Sequence, residues 1–290
     1  MTGSRTIPRT GRLGPHTVNR IGFGAMQLAG PGVFGPPADP NAAQAVLRRA
    51  VELGVDHIDT AQYYGPDVVN ELIRDALHPY PAGLRLVSKV GAGRDARGGV
   101  LAAQHPDELR AGVEDNLRTL RAEALALVNL RLMSAEERSN IPMAEQLGEL
   151  AALRNEGKIE SIGLSNATAA EIAAALEIVD LGEVQNAYNV MLRDDEEVLQ
   201  LCAERDIAYV PFFPIGPTRP LAAHPTISAV AAKHAATPAQ IALVWLLHRD
   251  VHVLLIPGTS SVTHLEQNVA AARIVLDGED MAALDSVSGP

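Results

Sequence analysis

Aromatic side chains are scarce in this sequence: four Phe, five Tyr and one Trp make up only 3% of 290 residues. Interior volume must then come from Leu, Val, Ile and Ala, and each aromatic stands out where it occurs. A single cysteine, Cys202, excludes an intrachain disulfide and suits a reducing compartment. Runs of Lys and Arg are absent, and 24 basic against 35 acidic side chains leave a formal charge of −11. The chain therefore lacks the electrostatic footprint of a nucleic-acid binder. No apolar run approaches the roughly 20 residues that span a bilayer, the stretch 241–247 being among the longest. Residues 1–13 are polar and contain Arg where a secretory leader would be apolar. The expectation is a cytoplasmic protein with neither nucleic-acid nor membrane partner, monomeric or weakly homo-oligomeric.

The rest of the composition, 47% hydrophobic and 20% charged, is that of a folded chain with a large core. No Ser/Gly linker or low-complexity tract divides it, so residues 1–290 read as one domain. Short apolar runs alternate with longer amphipathic stretches, the pattern of β-α units around a parallel sheet. Strands are expected at 21–24, 57–60, 86–90, 125–131, 161–164, 183–186, 209–213 and 253–256. Asp39-Pro40 and Thr237-Pro238 put a capping residue ahead of a first-turn proline. Thr168 with Glu171, and Thr263 with Glu266, have capping-box spacing. Eight such units in about 270 residues is the arithmetic of a (β/α)8 TIM barrel. The competing doubly wound sheet needs a third glycine after its first strand, where Gly22-Phe-Gly24-Ala-Met-Gln27 has Gln27. Two β-like pieces around Gly11 to Gly14 read as an N-terminal β-hairpin closing the barrel floor.

Catalytic side chains of such barrels sit at the carboxyl ends of the strands. The second strand ends in Asp59-Thr-Ala-Gln-Tyr-Tyr64-Gly65, and the third carries Lys89. A lysine cation beside a phenol stabilises the phenolate and lowers the phenol's pKa, while a carboxylate holds the lysine. Such a tyrosine acid suits carbonyl reduction. An Asp or Lys at a strand end is, taken singly, more often a buried pair or a cap, so the spacing alone does not decide.

These residues are followed in order by Gly163-Leu-Ser165-Asn166, by Gln185 and by Ile256-Pro-Gly258-Thr259-Ser260. The set resembles the aldo/keto reductase family over nearly the whole chain. The peptide from Gly24 to Pro37 and Val128-Asn-Leu-Arg131 are similar to its bacterial pyridoxal reductase branch. The resemblance implies hydride transfer from NADPH, bound extended across the barrel mouth, to a carbonyl carbon, with pyridoxal the first candidate substrate. It makes Tyr64 the general acid, Lys89 its tuner and Asp59 the partner of Lys89. Ser165, Asn166 and Gln185 would hydrogen-bond the carboxamide, Phe212 would stack on the nicotinamide, and Gly24 and Met26 would border the cofactor. Its other end falls to Gly258, Thr259, Ser260, His264, Gln267 and Asn268. There a loop feeding a helix capped by Thr263 offers free N–H groups to phosphate.

Two departures from the family's pattern matter. Ser260 and His264 stand where an Arg or Lys often grips the 2′-phosphate, which leaves NADH as the second choice of cofactor. Arg131 replaces the histidine that usually ends the fourth strand. A guanidinium donates hydrogen bonds but does not release a proton. Arg131 is therefore expected to polarise the carbonyl or to bind an anionic substrate group such as a pyridoxal phenolate, with a structural ion pair as the alternative.

Other readings compete with pyridoxal reduction. One is reduction of a secondary-metabolite or sugar carbonyl by the same chemistry, and another is a cofactor-binding regulatory subunit. A metal-dependent hydrolase is the third, since His57 and Asp59 share a strand face. A working metal site needs about three ligands, and His57 reads better as a packed strand residue. Substrate choice rests with the mouth loops at 31–37, 91–105, 134–143 and 213–225. The glycine-rich segment 91–99 reads as a mobile mouth loop bringing Arg94 or Arg97 near substrate. Asp194 to Glu197 reads as a solvated helix start, and Cys202 as a passive buried thiol. A positive patch is expected around Lys89, Arg131 and the helix after Pro257, to receive a polyanionic cofactor.

Overall fold

A computed structural model of the chain describes residues 7–134, 140–216 and 218–287. The first turn is built on Gly14, whose φ of +54° suits a residue without Cβ. It joins β1 (Thr10–Leu13) and β2 (His16–Asn19) in an antiparallel hairpin with Thr10 opposite Asn19. Leu13 and Val18 of this hairpin pack with Val87, Leu127, Ala208 and Leu254, and so seal one end of the main sheet.

That sheet contains β3 (Phe23–Gly24), β4 (His57–Asp59), β5 (Arg85–Arg94), β6 (Val100–Ala103), β7 (Leu127–Arg131), β8 (Ile162–Ser165), β9 (Leu181–Gln185) and β10 (Ala208–Tyr209). Among the described residues, seven of these run parallel in the order β10-β9-β8-β7-β5-β4-β3. Residues 253 and 255 touch both edges of this curled sheet, through parallel bridges Tyr209 to Val253 and Ile21 to Leu255. Several strands are shorter than expected. Past Tyr209 only Phe212 bridges, to Ala187; Pro211 and Pro214 lack the N–H that continued pairing requires.

Helices α1 (Pro40–Glu52), α2 (Val68–Leu77), α3 (Pro106–Leu120), α4 (Met143–Asn155), α5 (Ala169–Leu176) and α6 (Glu196–Glu204) alternate with the strands. After β10 come α7 (Thr218–Ala223), α8 (Pro225–Lys233), α9 (Pro238–Arg249), α10 (Val262–Ala270) and α11 (Gly278–Asp285). Asp39, Thr168 and Thr237 accept from the backbone at the starts of α1, α5 and α9, as the sequence predicts. The α10 start differs. Ser261, not Thr263, is the cap, accepting from His264 N at 3.4 Å. None of the described helices is long and apolar enough to cross a membrane.

Two expectations about loops are corrected. Segment 91–99 is not an open loop: β5 continues to Arg94 and pairs antiparallel with β6, Gly91 opposite Ala103. Asp95 closes the turn by accepting from Arg97 N at 2.7 Å and Gly99 N at 2.8 Å. Gly and Ala in these strands hide the usual β-branched signal. Nor is Asp194 to Glu197 simply solvated. Asp195 accepts from Tyr209 Oη at 2.6 Å and Glu196 from Tyr188 Oη at 2.6 Å, tying the start of α6 to the sheet and to α9 through Arg249. Cys202 is fully buried, and burial pushes its thiol up to about 12, so it is passive as expected.

Candidate active site

Side chains two apart on a strand share a face, so the apolar floor at Val87 and Leu127 is followed upward by polar layers. Lys89, Asn129, Gly163 and Glu183 stand in register across β5, β7, β8 and β9. Above them Arg131, Ser165 and Gln185 form the next register row. Asp59 ends β4, and Tyr64 lies in the turn that follows.

These groups are wired together. Lys89 Nζ donates to Asp59 Oδ1 at 2.5 Å and to Thr60 O at 3.1 Å, with both charged residues buried. Gln185 Nε2 donates to Asp59 Oδ2 at 2.9 Å and to Glu183 Oε1 at 3.0 Å, and Asn129 Nδ2 to the same Glu183 oxygen at 2.7 Å. Lys89 Nζ lies 5.3 Å from the centroid of the Tyr64 ring, and Tyr63 meets that ring edge-on at 5.3 Å. Burial and the nearby Asp59 charge push the Tyr64 phenol up, and Arg131 and Arg94 oppose the rise. The phenol is thus protonated at neutral pH, with Arg131 and Arg94 as cations that oppose the rise and the Lys89 ammonium at the ring face.

Sequence reasoning missed Glu183. Its carboxyl is pushed up to about 7 by burial first and then by Asp59. The readable signal was a carboxylate two positions before Gln185, on the inward face of an otherwise buried strand. Arg94 was one of two candidates in its loop, and the structure chooses between them. Its Nη1 donates to Gly98 O at 2.6 Å, its buried Nε has no partner, and it lines the cavity, whereas Arg97 is exposed.

The cavity encloses about 520 Å³. Asp59, Tyr64, Lys89 and Arg131 line it with Gly24, Met26, Ser165, Gln185, Phe212, Gly258, Thr259, His264, Gln267 and Asn268. Arg94 joins them, and Tyr63, Val100, Phe213 and the start of α9 do so without having been named as site residues. Two expected residues stand apart. Asn166 is exposed, and its Nδ2 donates to Leu132 O at 3.1 Å. Ser260 is exposed just beyond the lining residue Thr259. Among the described residues no carboxylate pairs with Arg131, so the structural ion pair does not form there. His57 is 2% exposed and packs beneath Gly22. No group of three His, Cys, Asp or Glu suited to a metal occurs among the described residues.

The donor set fits a nicotinamide dinucleotide. Ser165 Oγ is buried at the cavity wall without a partner, and among the described residues no hydrogen bond uses Gln185 Oε1. Gly24 and Gly258 bring two backbones so close that a Cβ on Gly258 would lie 2.6 Å from Gly24 O. The opposite end carries the α10 N-terminus, where His264, Gln267 and Asn268 face the cavity and backbone dipoles favour anions. Lys89, Arg94 and Arg131 outnumber Asp59 on the lining, the local positive patch that the net charge conceals.

The sequence profile of the aldo/keto reductase family matches residues 20–288. Pyridoxine 4-dehydrogenase of Escherichia coli K12 is 48% identical over 278 residues, covering 95% of this chain and 97% of that protein. An aldo/keto reductase of Klebsiella pneumoniae solved with NADP and acetate superposes with a TM-score of 0.82 at 28% identity, covering 96% of this chain and 95% of that one. The Klebsiella pneumoniae enzyme solved with NADPH gives 0.82 at 29% identity, over 96% and 94%. With the profile spanning nearly all of it, the chain belongs to the aldo/keto reductase family.

Proposed function

We propose that this NADP-dependent oxidoreductase reduces the aldehyde of pyridoxal to the alcohol of pyridoxine, with Tyr64 as the proton donor. One observation carries the reading: a buried, protonated phenol on the wall of a cavity that Arg131 and Arg94 also line, with the ion-paired Lys89 at its ring face. Similarity to the Escherichia coli pyridoxine 4-dehydrogenase supports the substrate. The scaffold is read as one closed eight-stranded barrel domain, residues 253–256 acting as the eighth strand. The two bridges at Val253 and Leu255 support that closure.

The reduced nicotinamide supplies the hydride for the carbonyl carbon. The protein's own part is to bind, orient and protonate. Ser165 and Gln185 present hydrogen-bonding groups side by side for the carboxamide, and Phe212 offers a ring face. Arg131 and Arg94 draw the carbonyl's negative neighbour, such as a phenolate, toward Tyr64. Tyr64 Oη gives its proton to the carbonyl oxygen as charge develops there. Both guanidinium charges then stabilise the phenolate until water returns its proton, and Lys89, fixed on Asp59 and Thr60 O, adds its charge at the ring face.

The test follows the loss of reduced-nicotinamide absorbance with pyridoxal and with a neutral aromatic aldehyde. Wild type should favour pyridoxal. Tyr64→Phe should lower kcat by about 10²–10⁴-fold, and Arg131→Ala should raise KM for pyridoxal more than for the neutral aldehyde. Tight NADPH binding without turnover of any carbonyl would replace this reading with the regulatory subunit. Full activity in Tyr64→Phe would remove the proton-donor assignment.

A further inference from the structure

Glu183 has no place in that mechanism, yet it is only 2% exposed and lies inside the sheet. Its register neighbours are Gly163 on β8 and Ala208 on β10, which leave room for its carboxyl. Gly163 admits nothing larger, because a Cβ there would run into Asn129 Oδ1. Glu183 Oε1 accepts from Asn129 Nδ2 and from Gln185 Nε2, while Gln185 Nε2 also reaches Asp59 Oδ2. Ionised carboxylates only accept hydrogen bonds. Two of them on one side of Gln185 permit a single amide orientation, with Nε2 inward and Oε1 left for the cavity. Beside that oxygen in register is the unpartnered Ser165 hydroxyl. An acceptor next to a hydroxyl complements a primary carboxamide, which offers two N–H donors and one carbonyl.

We propose that Glu183 is a positioning residue for the cofactor: with Asp59 it takes both N–H bonds of Gln185 and thereby commits Gln185 Oε1 to accept from the nicotinamide carboxamide. This rests on the NADP reading above. A charged acceptor polarises the amide it holds and strengthens the carbonyl at the far end. A neutral residue at position 183 leaves Gln185 with one carboxylate and able to turn. The charged groups facing Glu183 are Asp59 from β4 and Lys89 from β5; β7 offers Asn129, β8 Gly163 and β10 Ala208, none of which titrates.

The experiment compares binding of NADP with that of its 3-acetylpyridine analogue, in which a methyl group replaces the carboxamide nitrogen, by isothermal titration calorimetry. Wild type should prefer NADP by up to about tenfold, the upper end for one buried hydrogen bond between neutral amides. In Glu183→Gln the preference should fall below about threefold, with the analogue's own affinity little changed. A second measurement needs no variant: the wild-type preference should shrink as pH falls through about 7, where Glu183 gains its proton. The proposal is overturned if the variant weakens both nucleotides equally, if its preference is unchanged, or if wild type shows no preference. Preference for NADP without carbonyl turnover would fault the substrate reading and leave this one standing.

Discussion

A carboxylate at position 183 carries a cost in stability that its function explains. Its pKa rises from 4.5 in the ordinary state to about 7 in the fold, so the folded protein disfavours the charged form. Stability from this site is complete below about pH 4 and is lost as pH rises through about 7. The shift is worth on the order of 3 kcal/mol at this fully buried site. Glu183→Gln should therefore melt above wild type at about pH 8, and the gap should close toward about pH 5; a constant gap in calorimetry would show that the charge is not the cause. Such trade-offs between stability and a prepared site are common. Tyr64, Lys89 and Asp59 were legible because they sit at strand ends within a short motif. Glu183 was not, and Arg94 could not be told from Arg97, since their meaning lies in which strands stand beside them, and a single sequence does not state that register. Asn166, next to the lining residue Ser165, has a φ of +65° and gives one amide hydrogen to Leu132 O, features of the local chain path that a sequence motif does not state.

The helices and strands show the same division. Caps at Asp39, Thr168 and Thr237 could be read because a capping residue works through its own next turn. The α10 cap was misplaced by two residues, because Ser261 and Thr263 are chemically equivalent candidates and only the backbone path selects one. The β5–β6 hairpin stayed hidden, as five of its eight paired residues are Gly or Ala, whose role is room rather than propensity. Gly91 illustrates this: with φ at +96°, a Cβ would stand 2.7 Å from Arg131 O. Gly91→Ala should cost at least about 1 kcal/mol and push the end of β7 outward. In steady-state kinetics KM for the carbonyl should rise while NADPH affinity holds. If KM is unchanged, the hairpin does not set the position of Arg131. Phe213, on the cavity wall, also adopts positive φ, at +53°.

At the scale of the whole molecule, a protein of net charge −11 must still receive a polyanion. The cations on the cavity wall and the dipole of α10 do this locally, against a repulsive surround. Salt screens exposed charge over about 8–10 Å. NADPH binding should weaken severalfold between low salt and about 0.5 M, and NADH, lacking the 2′-phosphate, should weaken less. Equal salt responses would mean that the phosphate end is not read by charge.

Arg20, buried beside the first strand, adds a timetable. Its guanidinium donates to Val253 O at 2.9 Å, to Leu247 O at 3.0 Å and to Asp250 O, partners as much as 233 residues further on. A ribosome adding about 5–20 residues per second takes on the order of tens of seconds to deliver them. Until then these three bonds cannot form, nor can the bridge from Ile21 to Leu255. Contact with both sheet edges thus waits for residues 253 and 255, and a nascent chain stalled before residue 247 keeps an unpaired strand edge at Ile21, the kind of surface that invites wrong pairing.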